Sequence, residues 1–452
     1  MDYKQLFLDN LSNIMDLLSI KSIYDENSVS ATAPYGEAVK DALLFMKKLA
    51  IKDGFTIKEY DNKVLTISYV TNIDKHIDVA SHLDVVSVDD KWNSDPFKPI
   101  IINDKIYGRG TSDMKIPLML TYITLKELKK KYPHPNKEIR LVLGTDEERT
   151  MEDMHYYYEH SSKPLFAFTP DGNFPMGIGE LGALMWTIEE EYDGIIEKLD
   201  GGIQCNVVAP NCYVRLKNDT YTNKLKEYIS DNKLNAKVYE KQGKTIIETL
   251  GKAMHSSLCY LGDNAIIQAL KIIKDNIDDK YVSNIYDLFS DCYGANFDCK
   301  VNGEYNTFFT VNLGRLIIDN NKITAQIDGR YPNNITSKEL TSRINNKSLF
   351  EIKLAYDDEP TLCNIDDKYV QCLLDTYRKI TGDYTNPLVS GSVTYSKAFK
   401  HCVSFGPGKL DKPHLAHQAN EYMEIDDCVD ALRIYYEAME KMLVEEWRWR
   451  RC

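Results

Sequence analysis

The chain has 452 residues, of which 43% are hydrophobic and 27% charged, as is usual for a soluble globular protein of about two domains. Its 55 Lys and Arg residues against 68 Asp and Glu residues give a net charge of −13, which argues against nucleic acid or an anionic membrane as a partner. The sequence has neither a long apolar run typical of a transmembrane helix nor a signal-peptide pattern at its start. None of the ten cysteines belongs to a Cys-x-x-Cys pair, which favours free thiols in a reducing cytoplasm.

Predicted helices and strands alternate through the first 171 residues. The periodicity of apolar residues predicts, in chain order, helix 5–20, helix 35–50, strand 64–70, strand 77–81, helix 118–128, strand 139–144 and strand 165–168. Strands separated by helices are typical of a largely parallel sheet with helices on its faces. The fold class predicted here is therefore α/β, with a mixed, mainly parallel sheet.

The pattern changes after residue 182. Alternation of apolar and polar residues predicts half-exposed antiparallel strands at 184–192, 207–216 and 322–329. Helical periodicity predicts helices at 221–232, 262–276 and 336–346. Helical periodicity returns from about residue 361 and closes with helix 426–446. We therefore expect residues 1–182 and 361–452 to form a catalytic, metal-binding domain, and residues 183–360 to form an inserted α+β lid domain.

Three predicted strands end in histidine and carboxylate residues. His82 and Asp84 end the first, Glu147 and Glu148 follow the second, and Asp171 follows the third. Ligands of open α/β sheets bind at the carboxyl ends of the strands, and imidazole with carboxylate suits a divalent metal, above all zinc. A carboxylate beside a ligand histidine can orient it, and of two adjacent acids one can bind metal while the other takes a proton.

Six motifs in a fixed order make the interpretation more specific. They are HLDVV at 82–86, WNSDPF at 92–97, YGRGTSD at 107–113, GTDEE at 144–148, FTPD at 168–171 and HQANE at 417–421. Together they resemble the dinuclear zinc metallopeptidase family that includes peptidase V, carnosinases, aminoacylases and succinyl-diaminopimelate desuccinylases. The closest resemblance is to the peptidase V-like dipeptidases, and it extends over most of the chain.

The resemblance implies two divalent metal ions per chain, with zinc favoured and manganese or cobalt as alternatives. His82 and Asp171 would bind one ion, Glu148 and His417 the other, and Asp113 would bridge the two. His414 lies three residues before His417, but the sequence that follows His417 matches the family motif.

The resemblance also implies two catalytic roles beside the metals. Glu147 would act as the general base, and Asp84 would orient His82. An oxyanion-binding histidine is expected in GKAMHS at 251–256, which assigns that role to His255.

Further segments resemble the substrate-binding parts of the family. Asn206 lies in GIQCNVV at 202–208, and Gly391 begins GSVTY at 391–395, which matches a substrate loop only in part. Arg330, in DGRYP at 328–332, would bind the terminal carboxylate of a peptide in a bidentate pair. A site that fixes both termini of a short peptide would select dipeptides, because a longer peptide would leave a charge buried without its partner.

The sequence departs from the family pattern beside three of the candidate residues. Family members commonly have glycine where Ser81 and Ser256 stand, and Asp-Lys-Gly where residues 114–116 are Met-Lys-Ile. The resemblance implies a cis peptide bond between Asp113 and Met114.

The predicted function is that of a cytoplasmic metal-dependent dipeptidase acting on small peptides with a metal-activated water and a glutamate base. A deacylase of N-acyl or N-succinyl amino acids is the nearest alternative, since the same metals serve both reactions. A protein that keeps the fold and captures peptides without turnover is an alternative of a different class. The large insert favours a monomer, because in this family large lids resemble the monomeric peptidase V type.

Overall fold

A computed structural model describes residues 1–70 and 75–444, and the chain divides into two compact units. The first unit comprises Met1–Gly179, Cys363–Leu388 and Val393–Cys452, and the second comprises Glu180–Leu362 and Val389–Ser392. The last two residues of the predicted helix 426–446 lie outside the described residues. The catalytic role expected for residues 1–182 and 361–452, and the lid role expected for 183–360, stay predictions.

The N-terminal part of the first unit alternates helices with strands. Its helices are α1 (Tyr3–Leu18), α2 (Glu37–Lys52), α3 (Ile116–Lys131) and α4 (Glu152–His160). Its strands are β1 (Thr56–Tyr60), β2 (Val64–Ser68), β3 (His76–His82), β4 (Ile100–Ile102), β5 (Lys105–Tyr107), β6 (Glu138–Gly144), β7 (Phe166–Thr169) and β8 (Gly177–Glu180).

The second unit is richer in strands. These are β9 (Gly182–Glu191), β10 (Ile196–Gly201), β11 (Asn211–Leu216), β12 (Ala236–Lys241), β13 (Lys244–Leu250), β14 (Thr310–Asp319), β15 (Lys322–Tyr331), β16 (Lys353–Asp358) and β17 (Thr361–Leu362). Its helices are α5 (Thr222–Asn232), α6 (Ala265–Lys274), α7 (Lys280–Phe289) and α8 (Ser337–Asn345).

The C-terminal part of the chain returns to the first unit and contributes two long helices. Its elements are α9 (Lys368–Thr381), β18 (Leu388–Ser390), β19 (Cys402–Ser404), β20 (Tyr422–Glu424) and α10 (Ile425–Val444). Helix α9 begins where the Asp367 carboxylate accepts hydrogen bonds from the main-chain N–H groups of Tyr369 and Val370. Among the described residues, none of the helices combines the length and the apolar character that crossing a membrane requires.

The sheet of the first unit has a parallel centre and antiparallel edges. Its strands follow the order β1-β2-β6-β3-β7-β19-β8. Pairing is parallel from β6 through β3 and β7 to β19, and antiparallel at both sides of this group. The sheet is mixed, as expected, but parallel pairing is confined to the four central strands. Strand β3 is buried along its whole length, as expected of a central strand covered on both faces.

Helix α3 belongs to the core of the first unit. Residues 116–125 are all buried, so this part of the helix is covered on every face instead of along one stripe. Pro117 lies in the first turn, where a missing main-chain N–H is tolerated, and three lysines occupy the last turn, where positive charge favours the helix dipole. The turn that carries Asp113, three residues before α3, is therefore attached to a helix start that is buried in the core.

The second unit is built on an antiparallel sheet of eight strands in the order β12-β13-β11-β10-β14-β15-β9-β16. Its core contains Trp186, Phe297 and Phe309, packed edge-on or tilted at centroid distances of 6.2–6.3 Å. Strand β11 begins at Asn211, later than the predicted 207, because Pro210 has no main-chain N–H to give to a sheet.

Candidate active site

The carboxyl ends of three neighbouring parallel strands bring the first candidate residues together. Strand β3 lies between β6 and β7 and ends at His82. Residues 145–148 follow β6, and Asp171 comes two residues after the end of β7. Nε2 of His82 lies 3.7 Å from a carboxylate oxygen of Asp171.

Asp113 lies at the centre of the cluster. Its Oδ1 is 3.0 Å from Nε2 of His82, and its Oδ2 is 3.0 Å from Nε2 of His417. Nε2 of His417 is also 3.0 Å from a carboxylate oxygen of Glu148. The two oxygens of one carboxylate therefore face two different histidines, each of which has a second acid beside it. His414, the alternative to His417, is exposed.

The turn that carries Asp113 forms despite its unusual sequence. The peptide bond between Asp113 and Met114 is cis, as the resemblance implies. Met114 is fully buried and its sulfur accepts the main-chain N–H of His82 at 3.4 Å, while Ile116 is buried as the first residue of α3. The side chains that replace the usual residues of the family are thus accommodated in the core.

His82 is oriented by a main-chain group. Its Nδ1 lies 2.8 Å from the carbonyl oxygen of Asp84 and 3.5 Å from the nearer carboxylate oxygen of that residue. Donation of the Nδ1 proton to this carbonyl leaves the lone pair of Nε2 free for a metal. The sequence assigned the orienting role to the Asp84 carboxylate, but the closer contact is made by its main chain.

The Asp84 carboxylate instead holds the loop after β6. It accepts hydrogen bonds from the main-chain N–H groups of Glu147 at 3.3 Å and Glu148 at 3.0 Å. Burial raises the pKa of Glu147 well above its ordinary value. The charge of His82 opposes this rise in part, and the nearby carboxylate of Asp171 adds to it.

The charges of the cluster fit a divalent cation. Burial and the neighbouring carboxylate of Asp113 raise the pKa of Glu148, because negative charge is concentrated away from water. Three groups of residues offer ligand atoms within 4.8 Å of one another: His82, Asp113 and Asp171; His82, Glu147 and Glu148; and Asp113, Glu148 and His417. Imidazole nitrogen and carboxylate oxygen are donors that zinc accepts, so the residues present fit the expected metal.

A buried glutamate supports the turn around Asp113. Glu421 accepts hydrogen bonds from the main-chain N–H groups of Gly110 at 3.1 Å, Ser112 at 2.7 Å and Asp113 at 3.2 Å. Glu421 also accepts from the hydroxyl groups of Thr111 and Ser112, and Nη1 of the buried Arg109 lies 2.7 Å from it. Sequence reasoning gave these two residues no role, although Arg109 and Glu421 both belong to the motifs that carry the family resemblance.

A second support, also without a role in the sequence analysis, lies under the loop after β6. The buried Asp153 carboxylate accepts hydrogen bonds from the main-chain N–H groups of Thr145 at 2.5 Å and Asp146 at 3.1 Å, and from the Tyr395 hydroxyl at 2.5 Å. The Tyr395 ring lies edge-on to His82 at 6.2 Å. In the sequence, Asp153 is one of two adjacent acids at the start of α4, a pattern too common to single out.

Within the second unit, the structure brings together three of the residues predicted to bind substrate. The main chain of Asn206 accepts the N–H of Ser256 at 2.9 Å, which places the Asn206 segment beside His255. Nδ1 of His255 is 2.8 Å from the Ser257 hydroxyl, and a Cβ added to Gly391 would lie 2.8 Å from Cβ of Ser257. Any side chain at Gly391 would therefore press on the turn that carries His255.

Arg330 also lies in the second unit and has a bidentate partner there. Its Nε and Nη2 each lie 3.0 Å from a carboxylate oxygen of Asp328. Asn206, Asp328, Arg330 and Tyr356 line one cavity of about 520 Å³. Desolvation and the positive charge of Arg330 lower the pKa of His255, which favours its neutral form.

Known proteins resemble this chain over most of its length. The sequence profile of Peptidase family M20/M25/M40 matches residues 79–441. A protein of Staphylococcus saprophyticus that carries the name "Putative dipeptidase" is 29% identical over 98% of this chain and 98% of its own.

Solved structures share the fold. Human carnosine dipeptidase 1 matches with a TM-score of 0.58 and 11% identity, covering 98% of this chain and 97% of that chain. Sso-CP2 from Sulfolobus solfataricus, an M20 family metallo-carboxypeptidase, matches with a TM-score of 0.56 and 17% identity over 96% of this chain and 98% of its own.

These findings confirm the family resemblance and the α/β fold class predicted from the sequence. Membership of this group of metallopeptidases implies that a divalent metal ion serves as cofactor, in agreement with the histidine and carboxylate donors of the first unit. The chain belongs to Peptidase family M20/M25/M40.

Proposed function

We propose that this protein is a metal-dependent dipeptidase that uses two divalent metal ions, zinc by preference. The observation that carries the proposal is the placement of Asp113, whose two carboxylate oxygens each lie 3.0 Å from a different histidine. A carboxylate with one oxygen toward each of two donor groups suits a bridging ligand between two cations. The relative named as a dipeptidase, which aligns over nearly the whole chain, supports the substrate class.

The five ligands divide into two sets. His82 and Asp171 would hold one ion, Glu148 and His417 would hold the other, and Asp113 would belong to both. When bound, the metal ions polarise the scissile carbonyl and lower the pKa of water.

Glu147 would act as the general base. Its main-chain N–H is fixed by Asp84, while its neighbour Glu148 faces His417, so the two acids have separate partners. A buried carboxylate with a raised pKa can take a proton from the attacking water and hold it near neutral pH. The same proton can then pass to the nitrogen of the leaving amine.

His255 would donate a hydrogen bond to the developing oxyanion. The main-chain N–H of Ser257 lies 3.3 Å from Nδ1 of His255 and donates to it. In a neutral imidazole whose Nδ1 accepts, the proton is on Nε2. Nε2–H is thus the donor available to a substrate oxygen, and the lowered pKa of His255 agrees with a neutral ring.

Arg330 would bind the carboxylate terminus of the peptide. Because Asp328 occupies Nε and one side of Nη2, the guanidinium is held in one orientation with Nη1 and the outer edge of Nη2 left for a ligand. Asn206 lines the same cavity and would add an amide contact, and Gly391 would leave room beside the His255 turn.

Two further properties are part of the proposal. We place the protein in the cytoplasm, because the nine cysteines among the described residues are free thiols, as is usual in a reducing compartment. We also propose a monomer, since the second unit carries its own His255 together with Asn206 and Arg330. Light scattering of the purified protein tests the second point, and a mass of twice 51.9 kDa would contradict it.

The function is tested by turnover with defined substrates. The metal-free protein would be loaded separately with zinc, manganese or cobalt and given dipeptides, tripeptides, N-acetyl amino acids and N-succinyl amino acids. We expect hydrolysis of dipeptides with at least one metal and little hydrolysis of tripeptides. Preference for the acylated amino acids would reassign the protein as a deacylase, and dipeptide binding without turnover would identify a capture protein.

A further inference from the structure

Two cysteines of the second unit lie close together outside the residues assigned to catalysis. Cys259 lies in the short helix Ser256–Leu261, and Cys292 follows helix α7. Sγ of Cys259 is 3.9 Å from the carbonyl oxygen of Cys292, so the thiol of Cys259 contacts the main chain of Cys292. The Cys259 side chain thus lies against the Cys292 segment, and a disulfide requires a local movement that brings the two sulfur atoms together.

The two thiols differ in exposure and in acidity. Cys259 is buried, whereas Cys292 is half-buried and so within reach of a small molecule in solution. The neighbouring thiol and burial raise the pKa of Cys259, whereas the proximity of Cys259 lowers the pKa of Cys292 against the effect of burial. Because the thiolate is the nucleophile, Cys292 is suited to react first and Cys259 to resolve the product.

A second pair of cysteines in the chain provides a contrast. Cys363 donates its Sγ hydrogen to the carbonyl oxygen of Cys402 at 3.2 Å, and both side chains are buried in the first unit. Close spacing is therefore shared by both pairs, but only the pair in the second unit has a half-buried member. An oxidant in solution meets Cys292 and does not meet Cys363 or Cys402.

We propose that Cys259 and Cys292 are a site of reversible oxidation at which a small-molecule disulfide converts the two thiols into an intramolecular disulfide. The Cys292 thiolate attacks one sulfur of the small disulfide, which forms a mixed disulfide and releases one small thiol. Cys259 then attacks Sγ of Cys292 and releases the second small thiol. The two protons of the cysteines end on the released thiols, and two electrons pass from the cysteine pair to the oxidant.

The position of Cys259 links this site to the substrate residues. Cys259 lies four residues after His255 in one turn, in which the Leu258 N–H donates to the His255 carbonyl at 2.9 Å. Cys292 is fixed from the other side, because its carbonyl accepts the N–H of Val311 at 2.8 Å. A covalent bond would pull the turn toward this fixed segment and displace His255. This consequence rests on the proposed role of His255 as oxyanion donor.

The test uses the full-length, metal-loaded protein and oxidised glutathione as the probe. Peptide mapping without reduction is expected to find a peptide containing Cys259 linked to one containing Cys292, with the loss of two hydrogens and full reversal by dithiothreitol. The substitution Cys292→Ser should abolish the linked peptide. Cys372→Ala, which removes a buried thiol of α9, is the matched control and should leave the linked peptide in place.

Turnover is measured on the same samples. We expect kcat for a dipeptide to fall about tenfold on oxidation and to recover on reduction, with no such loss in Cys292→Ser. Recovery of Cys259 and Cys292 only as thiols or as separate glutathione adducts would overturn the proposed site. A fully linked protein with unchanged kcat would overturn the effect on His255. Mass analysis does not depend on turnover, so inactivity of the reduced protein would count against the dipeptidase assignment alone.

Discussion

Oδ2 of Asp84 accepts a hydrogen bond from the main-chain N–H of Glu148 at 3.0 Å. The main-chain carbonyl of Asp84 meanwhile lies 2.8 Å from Nδ1 of His82. Asp84 therefore positions one proposed ligand of each metal ion. Its side chain holds Glu148, and its main-chain carbonyl orients His82. The two functions can be separated by substitution, because the main-chain carbonyl remains when the side chain changes.

The substitution Asp84→Asn is expected to lower metal affinity and kcat by about 10–100-fold. An asparagine has a single oxygen acceptor, so its amide NH2 would face one of the two main-chain N–H groups that the carboxylate now binds. Metal content after dialysis and kcat for a dipeptide measure the effect. The exposed Asp41→Asn on α2 is the control and should behave as the wild type. Full activity and metal content in Asp84→Asn would show that the loop holds its place without this carboxylate.

The adjacent acids Glu147 and Glu148 are predicted to respond differently to the same change. Glu147→Gln should keep the metal content and lose about 10²–10⁴-fold in kcat, because the amide cannot accept the proton of the attacking water. Glu148→Gln should lose metal, because it removes the negative charge beside His417. Metal analysis paired with steady-state kinetics distinguishes the two variants. If both lost metal equally, Glu147 would be a ligand, as the grouping of His82, Glu147 and Glu148 allows.

The local pattern of the sequence predicted the elements that carry the site. The run before His82 is mostly apolar, interrupted by Asp78 and Ser81, and all of it is buried in strand β3. The apolar stretch 118–128 lies within α3, whose first ten residues are all buried. The periodicity of the sequence could not predict which distant ligands come together. Asp113 and His417 lie 304 residues apart and meet only in the folded chain.

The supporting residues were harder to predict for a physical reason. Glu421 acts by accepting main-chain N–H groups, and any sequence at positions 110–113 except proline would supply the same donors. The orientation of His82 by a main-chain carbonyl is equally independent of the side chain at position 84. Helix α7 was not predicted from the sequence, although its buried residues Val282, Ile285 and Phe289 recur at helical spacing.

Removal of Arg109 is predicted to destabilise the fold, because Arg109 and Glu421 are both buried and Glu421 would lose its charged partner. Arg109→Met leaves Glu421 without its guanidinium partner, a loss that costs about 3–5 kcal/mol when a buried pair is broken. We expect a lower thermal midpoint and weaker metal binding, since Glu421 also holds the main chain at Ser112 and Asp113. The control is Lys4→Met, which breaks the exposed pair of Lys4 with Asp426 and should leave the midpoint unchanged. Equal midpoints for Arg109→Met and the wild type would contradict a stabilising role for the pair.

Asp153 is predicted to make stability depend on pH. Burial, moderated by the hydrogen bond from Tyr395, raises the pKa of its carboxyl from 3.8 to about 7. A folded-state pKa above the unfolded value means that the folded protein binds the proton more tightly. The resulting stabilisation is complete below about pH 4 and is lost as the pH rises through about 7.

Replacement of Asp153 by asparagine should therefore flatten the decline in stability between about pH 4 and 7, by up to about 1.4 kcal/mol per pH unit. Asparagine cannot titrate, yet its side-chain oxygen can still accept from the main-chain N–H of Thr145 or Asp146. Unfolding by urea at intervals of half a pH unit measures the slope, with the exposed Asp231→Asn on α5 as the control that retains the wild-type slope. A variant at position 153 whose stability falls with pH as steeply as that of the wild type would mean that this carboxyl is ionised across the whole range. In that case the hydrogen bonds from the Tyr395 hydroxyl and the two main-chain N–H groups would more than offset the free-energy cost of burying the charge of Asp153.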